Sequence, residues 1–170
     1  MKKTALLFVL LLAVGATTYS FREAPKKEFS KESLSETLLA ADGSQVAFKD
    51  ILKKQKGKIT VIEVWASWCG DCVKAMPKVK ELQEKNKNVS FVFISMDKTA
   101  DKWKDGIQKH ELKGAQYMAN DGMKGVFGQA IDLDWIPRYI IIDSRGKIIL
   151  YRAIETDFDQ INTTLQQLQL

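Results

Sequence analysis

Blocks of apolar residues alternate with charged ones along this chain, and the period inside each block predicts an element. ITVIEVWA (59–66) is β-branched and almost continuously apolar, as a strand covered on both faces should be. VSFVFISMD (89–97) repeats that pattern. From about Cys69 the period changes: Val73, Met76, Val79 and Leu82 recur every three residues in a Lys- and Glu-rich stretch, which predicts a helix with Pro77 inside it. Upstream, ETLLAADGSQVAF carries two short apolar runs about Asp42-Gly43 and predicts a hairpin. Downstream come a helix with Trp103 and Ile107, a glycine-punctuated stretch and a short helix around Val126 and Phe127. RYIIID (138–143) and KIILYRA (147–153) then flank Ser144-Arg145-Gly146, a connection so short that the two strands are antiparallel. A last helix starting near Thr156 aligns Phe158, Ile161, Leu165 and Leu168 on one face. The predicted order is β-hairpin, β, α, β, α, α, β, β, α. That order implies an α/β fold with a mixed sheet and helices on both faces.

The first twenty residues stand apart. MKKTALLFVLLLAVGATTYS has a basic start, an apolar run from about Ala5 to Ala16, and small and polar residues after it. This is the layout of a secretory signal peptide, or of an N-terminal membrane anchor if Thr4 to Phe21 is retained. Residues 21–34 are polar, charged and broken by Pro25, which predicts a linker, and 35–170 form one domain. Apolar residues make up 45% of the chain and charged residues 28%, an ordinary mix for a folded core. The formal charge of +5 is spread among acidic neighbours, as in KELQEKNK, so nucleic acid is not an expected partner.

The chain has two cysteines, Cys69 and Cys72, both in WASWCGDC. Two thiols and one distant histidine, His110 in a Lys- and Glu-rich helix, do not make a zinc ligand set, so no metal and no cofactor is expected. A disulfide serving only as a brace would close a loop of a few residues, where the stabilisation is small. A redox pair suits the spacing better. A strand runs into the pair and a helix runs out of it, which sets Cys69 at the helix N-terminus, where free N–H groups and the helix dipole favour a thiolate. Cys72, one turn in, is expected to be more buried. Cys69 is then the attacking sulfur and Cys72 the resolving one. Export would place both where thiol pairs tend to oxidise.

WASWCGDC, with Pro77 and the later IPRYIIID, resembles the active-site framework of the thioredoxin superfamily, and in particular its extracytoplasmic TlpA/ResA-like thiol–disulfide oxidoreductases. The resemblance spans about residues 35–170. It implies a thioredoxin fold with an N-terminal β-hairpin and a helical insertion at about 98–130. It also implies that Pro137 occupies the family's cis-proline position, with Ile136 before it offering backbone hydrogen bonds to a substrate chain. Pro77 falls on the helix-kink position. Glu63, alone in an apolar strand, falls where thioredoxins have a buried acid. Burial should raise its pKa and suit it to accept the Cys72 proton.

Two departures concern redox tuning. Gly70-Asp71 stand between the cysteines where thioredoxin has Gly-Pro, and Ala75 stands where ResA-like members often carry a glutamate. Asp71 opposes a thiolate at Cys69 yet sits favourably in the first helical turn, and the expectation is a more reducing protein. Trp65 is expected in the core, Trp68 beside Cys69 at a docking surface, and Trp103 and Trp135 in core packing. A copper-handling relative would need a histidine near the last strands, which is absent. The implied function is an exported oxidoreductase acting on protein thiols and disulfides, as a reductant supplied by a membrane electron donor, as in cytochrome c maturation. The rivals are a disulfide-forming oxidase, a peroxiredoxin-like peroxidase and a binding module with inert cysteines.

Overall fold

A computed structural model describes residues 26–170. The expected leader, residues 1–20, lies outside them. Among the described residues no helix is long and apolar enough to cross a membrane. The elements are α1 (Lys31–Ser35), β1 (Thr37–Ala40), β2 (Gln45–Ala47), α2 (Phe48–Lys54), β3 (Thr60–Trp65), α3 (Gly70–Lys85), β4 (Ser90–Ser95), α4 (Ala100–His110), β5 (Ala115–Ala119), α5 (Val126–Ala130), β6 (Arg138–Ile142), β7 (Ile148–Ala153) and α6 (Phe158–Leu168).

The strands form one sheet in the order β2-β1-β5-β4-β3-β6-β7. β3 is central. It pairs in parallel with β4 (Glu63 opposite Phe93) and antiparallel with β6 (Glu63 opposite Tyr139). All six β3 residues are buried, as the unbroken apolar run requires. The β1–β2 hairpin forms about Asp42-Gly43, where Gly43 has a φ of 88°, a conformation that glycine adopts without a Cβ penalty. β6 and β7 pair antiparallel, as their short connection demands. This is the mixed thioredoxin-like sheet that the sequence implied.

Three elements were not legible. The expected helical insertion at 98–130 contains a strand: β5 lies between β4 (parallel) and β1 (antiparallel). Its five residues AQYMA lack the β-branched run that marks β3 and β4, so only its neighbours define it. Gly114, just before it at φ 142°, is required because a Cβ there would meet the Phe91 carbonyl oxygen at 2.6 Å. α2 buries Phe48 and Ile51, three residues apart, within a charged stretch. α1 falls at the end of the predicted linker. Within that linker Phe29 is buried edge-on against Phe48, and the Ser30 hydroxyl caps α1, so residues 26–34 dock on the domain. The last helix begins at Phe158 with Asp157, not Thr156, at its cap position. The Asp157 carboxylate accepts from the Ile154 N–H instead of from the helix.

Candidate active site

The site grows from the loop between β3 and α3. As β3 ends, the Met96 N–H donates to the Trp65 carbonyl at 2.8 Å, and the Cys69 N–H closes a turn on the Ala66 carbonyl at 3.1 Å. Cys69 is the N-cap of α3, and its Sγ accepts from the Cys72 N–H at 3.1 Å. The helix thus points an otherwise unpaired donor at sulfur. The two cysteines form a disulfide with Cα atoms 5.3 Å apart. Cys69 is 7% exposed and Cys72 is fully buried, the asymmetry that the spacing predicted. Pro77 lies inside α3.

A second segment, just before β6, meets the disulfide. The Ile136–Pro137 bond is cis, and the Ile136 carbonyl oxygen lies 3.6 Å from Cys69 Sγ. Trp68 is 59% exposed beside the disulfide, as expected, while Trp65 and Trp103 are fully buried. Trp135 departs from expectation. It is 52% exposed and not a core residue. Its neighbour Asp134 is the reason: that carboxylate pairs with the Arg138 guanidinium and, at 2.7 Å, with Arg152, so the loop is fixed by its polar side chain and Trp135 is left facing outward. Gly70 opens α3 with free space around it, and Asp71 in the first turn faces Lys74 at 3.4 Å. Ala75 is buried.

Glu63 is 1% exposed on the central strand, which excludes a solvated edge position. Burial pushes its carboxyl up to about 8, opposed by a hydrogen bond that the Tyr139 hydroxyl donates to Oε1 at 3.4 Å. Oε2 is buried with no hydrogen-bond partner among the described residues.

Two further residues that the sequence reading did not single out hold the loop. Asp97, just past β4 and 1% exposed, accepts from the Ser67 N–H at 3.0 Å, from the Ser67 hydroxyl at 2.7 Å and from the Ser95 hydroxyl at 2.7 Å. Ser67 is two residues before Cys69. Gly106 of α4 presses on the same point: a Cβ there would stand 2.8 Å from Ser67 Cβ and 3.0 Å from the Trp65 ring. The signal available was a polar S-x-D closing an apolar strand, which is costly unless paired. Its partner in the β3–α3 loop could not be read.

The chain is similar to known proteins. A thioredoxin-like family model matches residues 57–148. The thiol-disulfide oxidoreductase ResA of Bacillus cereus is 29% identical over 178 aligned positions, covering 99% of each chain. The solution structure of a candidate thiol-disulfide oxidoreductase from Bacteroides vulgatus is 32% identical, covers 82% of this chain and 90% of its own, and gives a TM-score of 0.67. A thiol-disulfide oxidoreductase from Bacteroides fragilis is 22% identical over 81% of this chain and 99% of its own, with a TM-score of 0.65, a likeness of fold alone.

Proposed function

The chain belongs to the thioredoxin-like family and is a thiol-disulfide oxidoreductase, and from that premise we propose that it reduces disulfides in other exported proteins. The observation that carries the chemistry is the asymmetry of the pair. Cys69 reaches solvent at a helix N-terminus with an N–H aimed at its sulfur, and Cys72 does not reach solvent. In the reduced protein that N–H and the helix dipole stabilise a Cys69 thiolate. The thiolate attacks one sulfur of the substrate disulfide. A mixed disulfide forms, and the other substrate sulfur leaves as a thiolate and takes up a proton. Glu63 then accepts the Cys72 proton, directly or through water. Cys72 attacks Cys69 Sγ, the Cys69–substrate bond breaks, and the second substrate thiol departs. Two electrons have passed to the substrate, and the chain is left in the disulfide form.

The substrate backbone docks against Ile136 and cis-Pro137, with Trp68 supplying apolar surface. Gly70 and Asp71 tune the potential, with Lys74 offsetting part of the Asp71 charge. Export rests on the N-terminal pattern of residues 1–20, and the expected reductant is a membrane electron donor of the cell envelope, with cytochrome c maturation as the setting that the resemblance suggests. The test has two arms. A Cys72→Ser variant should accumulate mixed disulfides with envelope proteins, whose identification names the substrates. A redox titration should place the pair near the thioredoxin range of about −270 mV; a value near −120 mV would make it an oxidase instead. Rapid peroxide consumption by the reduced protein would favour the peroxidase.

A further inference from the structure

We propose that Tyr139 is a positioning residue for the resolving step: by binding Glu63 Oε1, it leaves Oε2 as the oxygen that receives the Cys72 proton. This rests on the Glu63 role proposed above. The two residues are direct partners across the β3–β6 pairing, and both are buried. The Tyr139 hydroxyl donates to Oε1 at 3.4 Å, whereas Oε2 is buried and has no partner among the described residues. The Tyr139 ring is itself fixed, edge-on to Phe158 at 5.3 Å between centroids. The donor therefore arrives from a rigid element, and the carboxyl cannot turn without losing it.

The direction of the bond is fixed as well. Burial first, and then the Glu63 charge, push the phenol far above its ordinary value, so Tyr139 keeps its proton and donates. A proton on Oε1 would compete with that donor, so the mobile proton belongs on Oε2. The other ionisable groups near the pair are Glu155, after β7, whose charge pushes the phenol further up, and Lys78 of α3, which lies 5.4 Å over the Phe158 ring. A donated hydrogen bond stabilises the carboxylate, and the Tyr139 contribution to Glu63 is downward, so its removal should raise the Glu63 midpoint from about 8.

The reaction of the reduced protein with 5,5′-dithiobis(2-nitrobenzoate) separates the steps. The first phase forms the Cys69 mixed disulfide and releases one thionitrobenzoate; the second releases another as Cys72 closes the disulfide. Tyr139→Phe keeps the ring packing and removes only the hydroxyl. Its second phase should show a midpoint displaced upward by about 0.5–1 pH unit, a three- to tenfold slowing at pH 7, with the first phase unchanged. Glu63→Gln should lose the midpoint near 8 altogether. If Glu63→Gln loses it and Tyr139→Phe overlays the wild type, the Tyr139 assignment fails alone. If Glu63→Gln itself overlays the wild type, the acceptor reading fails first. Equal slowing of both phases in Tyr139→Phe, with no displaced midpoint, also overturns the assignment. Should Tyr139→Phe not fold, the wild-type Tyr139 ring resonances decide by NMR: if they do not follow the Glu63 titration, the phenol is not bonded to that carboxyl and the assignment is overturned.

Discussion

The Sγ of Cys69 stands 3.6 Å from the carbonyl oxygen of Ile136, 67 residues further along the chain. The contact joins the two halves of the site. One half is the helix start with its N–H aimed at sulfur; the other is the backbone before the cis-proline, where we propose that a substrate strand docks. β3 and β6 are neighbours in the sheet, and their antiparallel register brings the start of β6 to the end of β3. Cys69 and the Ile136 backbone are therefore brought together by the β3–β6 pairing, with the Ser67 contacts holding the loop that carries the sulfur.

The exposure difference between the cysteines predicts their reactivity. In the reduced protein at pH 7, iodoacetamide should label Cys69 at least about tenfold faster than Cys72. Cys69→Ser should abolish reduction of a peptide disulfide, whereas Cys72→Ser should halt after the mixed disulfide, which mass spectrometry detects. Equal labelling of both thiols would contradict the assignment.

Glu63 makes stability depend on pH. Its folded midpoint is about 8 against an ordinary value of 4.5, so between those values the native state holds a proton that the unfolded chain has released. Stability should fall as pH rises through that window. Glu63→Gln removes the dependence. The oxidised variant should be more stable than wild type at pH 8.5, by about 2–4 kcal/mol, and much closer to it at pH 5. Urea midpoints at the two pH values check this.

Trp135 separates docking from packing. An exposed side chain should be replaceable at a cost within about 0.5 kcal/mol, whereas Trp103→Ala, in the core, should cost about 3–5 kcal/mol. Trp68→Ala and Trp135→Ala should lower kcat/KM for a peptide disulfide about five- to thirtyfold while leaving reduction of hydroxyethyl disulfide within about twofold. Thermal melts and the two substrates together decide it.

Asp97 and Gly106 act on the same residue, Ser67, from two sides. Asp97→Ala leaves the Ser67 N–H, the half-buried Ser67 hydroxyl and the buried Ser95 hydroxyl without their acceptor, and should cost about 2–4 kcal/mol. Gly106→Ala forces a Cβ to within 2.8 Å of Ser67 Cβ. Each should lower the melting temperature and also slow Cys69 alkylation, because the loop carrying the sulfur shifts. A lower melting temperature with unchanged alkylation would show that Ser67 does not set the position of the sulfur.

Local patterns carried much of the reading. The apolar run 59–66, the change of period at Cys69 and the short connection 144–146 each depend on neighbours within a few residues, and each element formed where the pattern put it. The Cys69 cap and the greater burial of Cys72 follow from one turn of helix, so they too were legible, and the resemblance of Ile136-Pro137 to a family motif anticipated the cis bond. The rest depends on sheet pairing between distant segments. β5 exists because β1 and β4 offer it edges, not because AQYMA insists on being a strand. Trp135 faces outward because Asp134 is held by Arg138 and Arg152. The Tyr139 hydroxyl meets Glu63 because of the β3–β6 register, and Asp97 meets Ser67 because β4 ends beside β3. Sequence by itself determined the elements and the reactive pair, since periodicity and capping are local. Which side chains met across the sheet, and which tryptophan was left in solvent, only the tertiary structure decided, since those contacts join residues that the chain keeps far apart.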